Sequence, residues 1–106
     1  MNFKDLASNI GLDEEDFNEL IEVFIAASLT DIEKINSGLK NNNTESISQA
    51  AHSIKGAAAN LGFQEIASLS KDMEMTAKNG NIKEIKEKVS VIIKELKKIE
   101  SAIKTN

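Results

Sequence analysis

The stretch Asn81–Lys104 reads NIKEIKEKVSVIIKELKKIESAIK, and its apolar positions Ile82, Ile85, Val89, Ile92, Leu96, Ile99 and Ile103 advance in alternating steps of three and four. Such steps keep one stripe of a helix facing inward, whereas a half-buried strand would alternate every second residue. In isolation the segment could serve as a coiled-coil strand. Three more stripes of the same kind lie upstream, however, so the stretch is expected to pack within its own chain as the last helix of a bundle, over 81–104.

Working back from it, Ile66, Leu69, Met73 and Ala77 form the stripe of a helix over 63–79, which closes at NGN, where Gly80 suits a left-handed cap. A helix over 44–61 has Thr44 as its expected N-cap and Ile47, Ala50, Ala51, Ile54, Ala58 and Leu61 on one face, with Gly62 as its C-cap glycine. The longest runs over 13–40. Asp13 caps it, Glu14, Glu15 and Asp16 make an acidic first turn, and Phe17, Ile21, Phe24, Ile32, Ile35 and Leu39 follow as its stripe before the turn KNNN. Residues 1–10 are expected to add a short capping helix, with Phe3, Leu6 and Ile10 against the bundle. The fold class is therefore all-α: an antiparallel up-down four-helix bundle with a short extra N-terminal helix, in a single domain over 1–106.

Composition narrows the function. With no cysteine, disulfides and thiolate chemistry are excluded, and the chain suits a reducing, cytoplasmic setting. No run of about 18 apolar residues is present and the N-terminus lacks a signal-peptide pattern, so no membrane association is expected. Met1 and the absence of linkers favour a complete small protein. Thirteen lysines, no arginine and 17 acidic residues give a net charge of −4, which argues against a partner bound through nucleic-acid phosphates. The charge is uneven: nine carboxylates and no lysine between Asp5 and Glu33, against eight lysines and four glutamates between Lys78 and Lys104. These read first as solvated helix faces of opposite sign. A monomer is expected, because the four stripes can cover one another.

The single histidine, His52, stands in AAHSIKGAAANLGF, residues 50–63. At about 100° per residue it lies about 140° from Ile47, away from the apolar stripe. Ser48, Gln49, Gly56 and Ala59 share its side, so the imidazole is expected as an exposed knob among small residues. Gly56, in a helix interior, costs about 1 kcal/mol relative to alanine. A side chain there would project back over the histidine ring, so the glycine clears space for whatever approaches. Lys55, at i+3, can place an ammonium beside an anion on the ring. Histidine titrates near ~6.5, so a neutral nucleophile is available. By composition alone His52 reads first as an ordinary surface residue.

Other chemistries fit less well. A carboxylate–histidine metal site needs Glu three residues before the histidine, and position 49 is Gln; one histidine without cysteine leaves too few zinc ligands. Ser48 and Ser53 lack the oriented carboxylate and substrate pocket of a hydrolase, which a flat, exposed histidine does not provide.

The run HSIKGAAANLGF resembles the signature of histidine phosphotransfer (HPt) domains, matching it at His52, Ile54, Lys55, Gly56, Ala58, Leu61 and Gly62. The likeness continues through Met73, Glu74 and Lys78. What it implies is a bundle whose His52 accepts a phosphoryl group from the aspartate of a response-regulator receiver domain and passes it to another. Lys55 would be the phosphoryl-stabilising cation and Lys78 a second one, unless Lys78 is merely the first of the lysine-rich face. Glu74 would accept the Nδ1 proton and leave Nε2 as nucleophile, unless it is a solvated helix glutamate.

Receiver domains, a hybrid sensor kinase or both are the implied partners, docking on Ser48, Gln49, His52, Lys55, Gly56 and Ala59 with exposed Met75 nearby. No cofactor would be held stably; the receiver would bring Mg²⁺. Lacking glycine-rich nucleotide loops, the chain is expected to be a carrier rather than an ATP-dependent enzyme. Two rivals stay open: the phosphoacceptor domain of a chemotaxis-type kinase, which also uses HSIKG before Gly62 and Phe63 and pairs its histidine with a glutamate, and a helical interaction module without phosphoryl chemistry.

Overall fold

Helix ends in this chain are decided by short polar side chains and left-handed residues. In the computed structural model, which describes residues 3–105 with side chains to 103, Asp13 accepts a hydrogen bond from the Asp16 backbone N–H at 2.8 Å and so starts the helix Glu14–Asn41. Asn42, at φ 54°, ends it. The next N-cap is Asn43, not Thr44: its Oδ1 accepts from Ser46 N at 3.1 Å, and Thr44 is already the first helical residue. An asparagine that can leave the helical region directly after a left-handed residue takes the cap one position early.

Five helices result: α1 Phe3–Asn9, α2 Glu14–Asn41, α3 Thr44–Leu61, α4 Gln64–Lys78 and α5 Ile85–Thr105. α2 packs on α3, α3 on α4, α4 on α5 and α5 back on α2, while α1 rests on α2. The bundle is thus closed in chain order. Its long extent of 41 Å is the length expected of the 28-residue α2 at about 1.5 Å per residue.

The predicted stripes are buried as a single core, with Leu39, Leu69, Ile82 and Ile103 only half-buried at its margins. At one end Phe63 stacks on Phe24 at 5.5 Å, and Phe17 joins Phe63 to Phe3 through ring contacts of 6.4 and 6.3 Å. Phe63 also takes the N-cap position of α4, which therefore has no side-chain cap.

Two further expectations are corrected. α5 begins at Ile85 rather than Asn81, because Gly80 at φ 78° turns the chain and Asn81 donates back to the Thr76 carbonyl. In the capping segment Ala7, not Ile10, is buried beside Phe3; the helix stops at Asn9, and Gly11 at φ 75° swings Ile10 outward to 40% exposure. Of residues 1–10, Met1 and Asn2 lie outside the described residues. Ser28 and Ser70, for which the apolar pattern gave no expectation, are also buried within the α2 and α4 stripes.

Candidate functional site

The α3–α4 seam is built from small residues on α3, which lets α4 come close. Ala51 and Ala58 are fully buried beside Met73 and Ala77. Close approach carries Glu74 under the outer side of α3. There the carboxylate is buried, and it is met from three directions: Oε2 lies 3.0 Å from His52 Nδ1 and 3.5 Å from Lys78 Nζ, and Oε1 accepts from Lys55 Nζ at 3.0 Å. Lys78 reaches it from one turn further along the same helix.

Burial of the Glu74 carboxyl pushes its pKa up, yet the Lys55 hydrogen bond and the charges of Lys55, His52 and Lys78 outweigh this and hold it below its ordinary value. It is therefore an anion at neutral pH. An ionised carboxylate can only accept, so when the ring is neutral the proton sits on Nδ1 and the lone pair on Nε2. The His52 side chain is 64% exposed. Two ammonium groups, those of Lys55 and Lys78, meet the one carboxylate that holds the ring. Such an arrangement is chemically able to present a neutral imidazole as a nucleophile through Nε2.

The ring stands in an open hollow of about 580 Å³ lined by Thr44, Glu45, Ser48, Gln49, His52, Glu74 and Lys78. The flat surface expected around His52 is thus replaced by a concave one. Ser48 is buried beneath it rather than exposed, because α4 closes over that side of α3. Gln49 is exposed, its amide donating to Glu45 at 3.4 Å. Gly56, Ala59 and Met75 are exposed as expected but lie outside the lining of the hollow, and a Cβ on Gly56 would meet nothing within 4 Å. Thr44 and Glu45 were missed. Glu45, Gln49 and His52 follow at steps of four and three, a spacing that would have marked Glu45 as a neighbour.

Lys55 departs from its reading as a cation standing free beside the ring, since its ammonium is engaged by Glu74 and its side chain is only 30% exposed. Lys78, by contrast, is 64% exposed. The donor set does not suit a resident metal ion: the nearest carboxylate is already matched by cations, and no cluster of three or more His, Cys, Asp or Glu among the described residues could hold one.

The family model for the Hpt domain matches residues 19–102, most of the bundle and all of the His52 cluster. The chain belongs to the Hpt domain family. Among curated proteins it is similar to the phosphorelay intermediate protein YPD1 of Candida albicans, 41% identical over 56 residues, which span 52% of this chain and 30% of that protein. Among solved structures it resembles histidine-containing phosphotransfer protein B (HptB) of Pseudomonas aeruginosa PAO1, with a TM-score of 0.83 over 94% of this chain and 87% of that one at 22% identity, a likeness of fold. In this Hpt domain no helix among the described residues is long and apolar enough to cross a membrane.

Proposed function

We propose that this Hpt domain is a phosphoryl carrier in a two-component phosphorelay, working in the cytoplasm. His52 Nε2 attacks the phosphorus of a receiver domain's aspartyl phosphate. The N–P bond forms, the bond to the aspartate oxygen breaks, and the carboxylate leaves on the receiver; transfer onward reverses these steps on a second receiver. The Nδ1 proton stays in place, held by Glu74. Mg²⁺ and much of the neutralising charge come with the receiver, which also fits a carrier with no ATP-dependent activity of its own.

The observation that carries this reading is the 3.0 Å contact between His52 Nδ1 and the ionised Glu74, which leaves the other ring nitrogen as the nucleophile at the open hollow, with the ammonium groups of Lys55 and Lys78 close by. As negative charge arrives on Nε2, Lys78, exposed and loosely paired at 3.5 Å, turns to the phosphoryl oxygens first, and Lys55 adds a second charge by sharing its ammonium with Glu74. Receiver docking covers Gln49, Gly56, Ala59 and Met75 around the hollow, with Ser48 in its floor.

Incubating the protein with phosphorylated receiver domains and Mg²⁺ tests this. Acid-labile, alkali-stable label should appear on the wild type and be absent from His52→Gln. The His52–Glu74 pair also supports a second reading, in which a chemotaxis-type kinase is the donor. Label from kinase and ATP with none from any receiver would select it, and label from neither would leave a helical binding module.

A further inference from the structure

Thr44, Ser48 and His52 follow at steps of four along the edge of α3 that borders the hollow. A helical side chain leans over the turn that precedes it, so the His52 ring tilts toward Ser48, whose Cβ stands about 5–6 Å from its own. Ser48 is only 8% exposed, yet it lines the hollow. Its hydroxyl has no hydrogen-bond partner among the described residues, and it is not sealed from solvent as the unpartnered Ser70 hydroxyl is. The O–H therefore opens on the hollow. Packing does not call for it: alanine would let α4 approach as closely, would favour the helix more and would leave no polar atom to satisfy.

The charges of the hollow do not by themselves hold a phosphoryl group. Its charged lining is Glu45, Glu74 and Lys78, two carboxylates against one ammonium group, and Lys55 lies outside that lining. A phosphoryl dianion placed there needs neutral donors as well. Gln49 shares the hollow, but its amide is turned to Glu45 at 3.4 Å. We propose that the Ser48 hydroxyl donates a hydrogen bond to an oxygen of the phosphoryl group carried on His52 Nε2, holding that group in the hollow between one transfer and the next. The proposal rests on His52 being the phosphoacceptor. The bond has a definite effect on lifetime. In the loose transition state of phosphoryl transfer the departing group is metaphosphate-like, so its oxygens carry less negative charge than those of the bound dianion. A donor on those oxygens favours the carried group over its release, and Ser48 lengthens the time for which the domain stays charged.

Phosphoramidate, a small donor that needs no docked protein, supplies the test on the full chain. Nε2 attacks its phosphorus, the N–P bond to His52 forms, and the bond to nitrogen in the reagent breaks as ammonia leaves. Phosphorus NMR then follows the loss of phosphohistidine to water after the reagent is removed. Ser48→Ala should lose the group about tenfold faster than the wild type, the size expected of a hydrogen bond to a charged group. In concentrated urea the two lifetimes should converge, because the bond exists only in the folded chain. Unmodified Ser48→Ala should melt no lower than the wild type, since its hydroxyl has no protein partner to lose. Equal lifetimes in the folded proteins, a difference that persists in urea, or a shortened lifetime accompanied by a lowered melting midpoint would each overturn the proposal. A wild type that takes up no phosphoryl group would instead overturn the reading of His52 on which the proposal rests, an outcome told apart by the absence of any phosphohistidine signal.

Discussion

Two glycines stand inside helices of this bundle, and they are there for different reasons. Each costs about 1 kcal/mol of helix stability relative to alanine. At Gly38 in α2 a Cβ would sit 2.6 Å from Ile47 Cγ1 and 3.0 Å from the Asn43 carbonyl oxygen, both held where the chain turns back into α3. At Gly56 in α3 a Cβ would meet nothing within 4 Å. The first glycine is explained by how the chain packs on itself. The second is not; on the proposed function its reason lies in what comes from outside to the adjacent imidazole. Under that proposal a helix glycine without an internal reason, beside an exposed histidine, marks the face that a receiver domain reaches.

The comparison breaks most visibly if bulk is added at Gly56. In Gly56→Leu the side chain leans over the preceding turn, toward His52, and keeps an approaching receiver from in-line geometry. Phosphoryl transfer should fall about a hundredfold, as displacements of about 1 Å can cost, while the thermal midpoint does not fall, since leucine is a better helix former than glycine. Unchanged transfer would remove the external explanation. Gly38→Ala should do the opposite, leaving transfer per folded molecule unaltered and losing about 1–2 kcal/mol of stability, because overpacking against Ile47 outweighs the gain in helix propensity. For a domain of this size that is a fall in thermal midpoint of roughly 4–8 °C per kcal/mol. A midpoint at or above that of the wild type would show that Ile47 yields freely.

The contrast between fold and site also governs what could be read from the chain. Helices and stripes were legible because burial repeats at the helical period, and α5 shows it most cleanly. The stripe even misled at its start: Ile82 keeps the spacing and is half-buried, but Gly80 turns the chain and the helix waits until Ile85. Buried Ser28 and Ser70 carry no hydrophobic signal. At the site, the exposure of His52 followed from one helical wheel. The hold of Glu74 on Lys55 did not, because those residues are 19 apart and meet only through the register of α3 against α4. The burial of Ser48 and the concavity above it have the same origin.

That register makes the site sensitive to acid in a defined direction. The folded pKa of Glu74 lies below its ordinary 4.5, so between the two values the unfolded chain binds more protons than the folded one and stability rises with pH. The contribution of the cluster is complete above about pH 4.5 and is lost as pH falls through the lowered value. Glu74→Gln should therefore lower the thermal midpoint at neutral pH and flatten its slope across the acid range, and it should slow transfer by weakening the hold on Nδ1. An acid slope identical to that of the wild type would show that Glu74 carries no net stabilisation in the cluster.

The smallest change sharpens the comparison furthest. Gly56→Ala adds one methyl group into open space, so the chain itself should gain the usual helix preference, about 0.5–1 kcal/mol, seen as a raised midpoint in thermal melts. If the glycine is kept for a partner, that gain comes with slower phosphoryl transfer from a receiver but unchanged modification by a small phosphoryl donor, which needs no docked surface. Loss with both reagents would mean that the methyl disturbs His52 itself. Loss with neither would mean that the room at Gly56 is larger than any receiver requires, and that only bulkier residues reveal the contact.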